Sequence, residues 1–170
     1  KILEAMTHTL TQFENVERIK LWINGEPLDE MPVDGTPIEN GYTRANGINY
    51  MNTDTVDLTV SEAITMFYPA EHNDNRYFVP VTQYVEGTEG EFYSSIVEEL
   101  VNGPKYNNNL VHVFNGSTML TENPTLQEGI LELTFNQSIL SSGENSVIAD
   151  EVMETLVRTL TEQEGVEGVH

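Results

Sequence analysis

Cysteine is absent from all 170 residues. Disulfides, thiolate zinc sites and cysteine nucleophiles are therefore excluded, and thiol usage says nothing about compartment. Basic residues are scarce: seven Lys and Arg stand against 28 Asp and Glu, for a formal net charge of −21. Such a chain repels phosphates and anionic head groups, so no nucleic-acid partner and no direct membrane-surface partner is expected. A basic protein or bound cations remain compatible partners, but the simplest reading is a solvated acidic surface that favours solubility. No run approaches the roughly 18–20 apolar residues that cross a bilayer. A signal-peptide pattern is also missing, and the chain opens on Lys1 rather than Met. That is compatible with a processed product whose export signal or anchor has been removed.

Catalytic patterns are missing as well. His8, His72, His112 and His170 are scattered without HExxH-type spacing. Off the apolar stripe of its helix, His8 reads as solvated, and His112 reads as an ordinary strand residue. Neither Gly116-Ser117 nor Ser141-Ser142-Gly143 supplies the G-x-S-x-G of a hydrolase, and no phosphate loop or dinucleotide fingerprint occurs. Glu89, Glu91, Glu98 and Glu99 cluster around a helix start, where solvation accounts for them. Asn73-Asp74-Asn75 lacks the glycine and closing glutamate of an EF-hand. Asn115-Gly116-Ser117 and Asn136-Gln137-Ser138 match the glycosylation triplet, which chance often produces. The expectation is a non-enzymatic protein with no catalytic, cofactor-binding or metal-binding residues.

What the chain does contain is a repeat. Leu3 to Lys20 and Met153 to His170 align without a gap at a constant offset of 150. Thr9-Leu10-Thr11 falls on Thr159-Leu160-Thr161, Glu4 on Glu154, Val16 on Val166 and Glu17 on Glu167, with similar pairs between. An internal duplication explains this. In the first copy Ile2, Leu3, Met6, Leu10 and Phe13 share a helical face, Asn15 is suited to a left-handed helix end, and Val16 to Ile23 reads as a strand before the Asn24-Gly25 turn. In the second copy Val147, Ile148, Val152, Leu156 and Leu160 form the stripe, and the strand has barely begun at His170.

Between the copies, residues 29–57 are rich in turn chemistry and read as a connector, pinned to a domain by Ile38, Tyr42, Ile48 and Tyr50. Residues 58–170 then give strands over Ala63–Tyr68 and Arg76–Val85, separated by a polar loop from Pro69 to Asn75. Pro80 implies an edge strand or a bulge. Thr88 to Glu91 resembles a capping box for a helix on Phe92, Ile96, Val97, Leu100 and Val101, stopped by Gly103-Pro104. Short β-type pieces follow at Leu110–Phe114, Thr118–Leu120 and Ile130–Phe135. The order ββαββα(β) predicts an α+β, two-layer sandwich: a sheet with two helices on one face, preceded by a helix–strand tail.

The stretches Thr7 to Phe13 with Val16 to Gly25, Met31 to Ile38, Arg44 to Asn49, Tyr77 to Thr82, Glu99 to Pro104, Leu133 to Ser138 and Thr159 to Gln163 together resemble the GerM family of sporulation and germination proteins. The resemblance implies tandem small domains similar to ring-building motifs. Residues 1–28 then become the C-terminal helix and strand of a first domain, 29–57 an inter-domain connector, and 58–170 a second domain lacking its last strand. It further implies a lipoprotein, membrane-anchored in full length and extracytoplasmic, in the intermembrane space of the sporulating cell. There it would act as an assembly module through contacts with other sporulation proteins. No catalytic residues carry over. The duplication adds the expectation of a homo-oligomer or strand exchange through residues 18–24, because an unpaired sheet edge attracts a partner. The rival expectation is a peptidoglycan- or glycan-binding or cleaving wall protein that uses acidic residues and exposed aromatics such as Tyr84 or Tyr93.

Overall fold

A computed structural model describes residues 1–32, 35–50, 60–87, 90–105, 109–141 and 146–170. The chain divides into two compact units, Lys1–Tyr50 and Met51–His170.

The first unit starts with helix α1 (Ile2–Leu10), which ends at Thr11 rather than continuing to Phe13. After a turn, Ile19 pairs antiparallel with Tyr42, each donating its N–H to the other's carbonyl at 2.9 and 2.8 Å. Gly41 permits that approach: its φ is +84°, and a Cβ there would lie 2.9 Å from the Ile19 carbonyl oxygen. Strands β1 (Trp22–Ile23) and β2 (Glu26–Pro27) form a small hairpin across Asn24-Gly25, both with positive φ. The β-type run from Val16 to Ile23 thus shrinks to one bridge and two strand residues. Asn15 does not take the left-handed conformation; its counterpart Gly165 does, at +82°. Leu3, Ile19 and Ile38 are the buried core, with Val16, Leu21, Leu28, Met31 and Tyr42 packed against it. Residues 29–50, read as the start of a connector, lie in this unit, and Ile38 and Ile48 are buried.

In the second unit β3 (Ser61–His72) and β4 (Asn75–Glu86) pair along all twelve residues. The polar loop expected from Pro69 to Asn75 is instead strand up to a two-residue turn. Asn73 and Asp74 both adopt positive φ, the conformation whose twist matches that of a hairpin. Ile64, Met66, Tyr68 and Ala70 alternate onto the buried face, met by Val81 and Val85. Helix α2 (Phe92–Asn102) buries Ile96, Val97, Leu100 and Val101. Its N-cap is Glu91, so Glu91 is not the third helical residue of a capping box; Thr88 and Glu89 lie outside the described residues.

Strands β5 (Thr125–Gln127) and β6 (Ile130–Glu132) turn on Glu128-Gly129, and β7 (Gly168–Val169) joins β6 in parallel. A parallel pair needs a crossover, and helix α3 (Asp150–Leu160) lies in that connection. The element order is ββαββαβ in a mixed α+β fold. The strands form a separate hairpin and three-stranded sheet rather than one continuous sheet. Of the short pieces expected near Leu110–Phe114 and Thr118–Leu120, only single bridges at Leu110 and Leu120 form. One core, centred on Met66, Ile96, Leu100, Leu131 and Leu160, joins β3, β4, β6, β7 and both helices, while β5 stays outside it.

The duplication is visible bond for bond. Thr11 N–H donates to the Thr7 carbonyl at 2.9 Å and its hydroxyl donates to the same oxygen at 2.7 Å. Thr161 does both to Val157, at 3.0 and 2.7 Å. Val16 N–H donates to Phe13, as Val166 N–H does to Gln163.

Candidate interaction surface

Apart from Tyr50, the exposed large apolar residues of the first unit fall on α1, the turn that follows it and strand β1. Ile2, Met6, Leu10 and Phe13 are open to solvent although they form the helix's apolar stripe, and Trp22 and Ile23 are exposed as well. Only Leu3 of the predicted stripe is buried. The helix instead buries Leu3, Thr7 and His8: Leu3 packs in the core with Ile19 and Ile38, and the 43–49 segment is fastened to the helix by hydrogen bonds. Arg44, in a 3-10 turn at Arg44–Asn46, donates from Nε to the Thr11 hydroxyl at 2.9 Å and from a terminal nitrogen to the His8 carbonyl at 3.2 Å. Asn49 N–H donates to Glu4 Oε2 at 3.0 Å. His8 is therefore not solvated. Burial, with Arg44 as the next cause and Glu4 opposing, holds its imidazole below the ordinary histidine pKa.

Other residues singled out by sequence take structural places. His112 is not a strand residue; its Nε2 lies 2.7 Å from the Val101 carbonyl at the end of α2. His72 and His170 are exposed, and Asn73-Asp74 is the hairpin turn. Among the described residues, no three His, Asp or Glu cluster as metal ligands would. Glu91 and Glu98 are exposed, whereas Glu99 pairs with Lys105 at 3.0 Å. Ser142 and Gly143 lie outside the described residues. Tyr84 and Tyr93 are not exposed aromatics: both are half-buried, and Tyr93 meets Phe92 edge-on at 5.6 Å. Arg76 binds Glu71 at 2.9 Å and also Glu151, which ties the hairpin tip to the start of α3.

Sequence reasoning missed a second feature, a groove of about 560 Å³ between α2 and residues 116–123. Glu91, Glu98 and Glu122 border it, with Ser94, Thr118 and Asn102 among its polar walls and no Lys or Arg. Nothing local in sequence marks it, because one wall is irregular chain.

The profile of the family described as "Germane: Sporulation and spore germination" matches residues 65–170. This chain belongs to that family. It is 39% identical over 171 residues to the spore germination protein GerM of Bacillus subtilis (strain 168), covering 99% of this chain and 47% of that protein. The solved structure of the tandem GerMN domains of the sporulation protein GerM from Bacillus subtilis superposes with a TM-score of 0.87 at 39% identity. That match covers 99% of this chain and 58% of the solved one. The chain thus spans about half the length of the curated family member it matches. Its mixed α+β fold matches that of the GerMN domains, and the family it belongs to is one described by sporulation and spore germination.

Proposed function

We propose that this Germane-family chain is a non-enzymatic assembly module of an extracytoplasmic complex between mother cell and forespore, working through protein–protein contacts. In this reading, residues 1–28 are the end of a first domain, 58–170 are a second domain, and a membrane anchor belongs to the full-length protein. The exposed strand β1 of the first unit carries the proposal. Trp22 and Ile23 are each more than half exposed in a protein whose surface is otherwise strongly acidic. Apolar surface left open in this way marks a contact region. The strong negative charge favours a partner with a basic face.

A second reading, binding or cleavage of peptidoglycan, draws on the groove beside α2, whose hydroxyls, amides and carboxylates suit a glycan. Complementation of a deletion strain separates the two. Trp22→Ala with Ile23→Asp is expected to lower spore yield and the co-purification of complex partners. Glu91→Gln, Glu98→Gln and Glu122→Gln are expected to leave both unchanged, with no muropeptide released by the purified protein. Release that disappears with one carboxylate substitution would overturn the assembly reading.

A further inference from the structure

Basic side chains are so rare in this chain that their partners are informative. With 28 acidic residues present, a lone cation should find a carboxylate. In the second unit every one does: Arg76 pairs with Glu71 and Glu151, Lys105 with Glu99, and Arg158 with Glu154. In the first unit Arg44 is engaged by the Thr11 hydroxyl and the His8 carbonyl. Arg18 and Lys20 differ. Among the described residues neither has a carboxylate within ion-pair distance, and both are exposed.

The two stand together beside Trp22. Alternate residues of an extended run share a face, which puts Arg18, Lys20 and Trp22 on one side and Ile19 and Leu21 on the other. Ile19 is buried and Leu21 packs on the first unit's core, so the other three face solvent. Gly41 lies against both cations: a Cβ there would stand 3.4 Å from Arg18 Cδ and 3.4 Å from Lys20 Cγ. Arg18 donates from Nη1 to the Asn40 carbonyl at 3.2 Å, which holds its guanidinium and leaves its other N–H groups open to a ligand. Across the hairpin Trp22 is paired with Pro27, which is also exposed. Two cations and an indole thus form a row, flanked by a proline. The fold does not require this row, because at the repeat offset Arg18 and Lys20 become Gly168 and His170.

We propose that the row is the docking face for an acidic segment of a partner protein, with carboxylates on Arg18 and Lys20 and an apolar side chain against Trp22. This rests on the contact reading of strand β1 above and names the chemistry of the segment that strand meets. Arg and Trp anchor interfaces, the first through paired N–H bonds to a carboxylate and the second through its large apolar face. The charge of the whole chain favours a partner that is basic around the contact, while the row calls for the opposite sign at one place. Complementarity in both signs fixes the register and rejects a partner that is merely basic.

Carbodiimide cross-linking of the complex in sporulating cells tests this. The reagent joins a lysine amine to a touching carboxylate as an amide and carries off the water as a urea. Mass spectrometry of the digest is expected to find Lys20 as an amide of an Asp or Glu in another protein. Arg18→Glu with Lys20→Glu should lower co-purification of that protein by about tenfold or more, and Lys20→Arg should preserve it. The Ile19 and Tyr42 amides, which are bonded to each other's residues, report by NMR that each variant is folded. If Trp22→Ala with Ile23→Asp leaves the complex intact, the contact reading itself fails. If that variant loses the complex and the charge reversal does not, the contact reading stands and the acidic segment falls. A Lys20 amide to a muropeptide would make the occupant cell wall, and one to a second copy of this chain would make it a homo-oligomer; either overturns the partner. Absence of any Lys20 amide to another molecule overturns the proposal as well.

Discussion

His8 shows how one side chain's surroundings decide its protonation. It sits in the last turn of α1 with its Nε2 buried and without a hydrogen-bond partner. Burial first, and then the Arg44 charge, favour the neutral ring over the cation. The folded state therefore takes up a proton at lower pH than the unfolded chain, whose histidine titrates near ~6.5. Below that value the unfolded state binds more protons, so stability falls with pH and levels off beneath the folded pKa. Urea midpoints read from the Ile19 and Tyr42 amides are expected to drop between about pH 7.5 and about pH 5.5, a window above most carboxylate titration. His8→Gln should flatten that slope, and an unchanged slope in the variant would show that another group is responsible. None of this was legible in sequence. The helical wheel places His8 off the stripe, and that side becomes interior through long-range contacts, with Leu3 against Ile19 and Ile38 and Arg44 bonded to the His8 carbonyl.

Helices α1 and α3 show what an amphipathic pattern specifies and what it leaves open. The stripe at Ile2, Met6 and Leu10 and the stripe at Val152, Leu156 and Leu160 are equally clear in sequence, yet only the second is buried. Periodicity identifies a face that suits burial but not the element that covers it. Leu160→Ala should therefore cost roughly 2–5 kcal/mol, since the side chain is fully buried in the joint core. Leu10→Ala in this chain should stay within about 0.5 kcal/mol. Urea unfolding of the two variants measures both, and equal losses would mean that the α1 face is already covered. The β3–β4 hairpin was missed in part for a different reason. Glu71, His72 and Asn75 look like loop, but a positive φ at Asn73 and Asp74 lets the ladder run to its tip. Strand β5 was missed because Thr125, Leu126 and Gln127 are all exposed and show no alternation. The Gly103-Pro104 stop was legible, whereas the His112 ring that closes the same helix end comes from a residue with no local sign of that role.

At the scale of the molecule, the two units differ most in the size of their cores. Among the described residues, the second unit's core has 16 buried apolar residues and the first unit's has three. Duplication implied two domains, but it could not show how unequally their parts are represented, because repeat copies align by sequence regardless of what packs on them. A unit of about 50 residues with so few buried side chains has little margin over its conformational entropy. Among the described residues, the second unit gathers two helices and four strands around one core and has the reserve expected of an ordinary small domain. The chain should then unfold in two stages rather than one, since a single transition requires that all elements share one cooperative core. Following a urea titration by NMR, the Ile19 and Tyr42 amides report the first unit through their mutual hydrogen bonds. The Phe67 amide, held by Thr159, reports the second. The first pair is expected to lose its native signals at a clearly lower urea concentration than Phe67. Coincident midpoints would mean that the two units are stabilised as one body, and the small core would then draw its stability from contacts beyond its own residues.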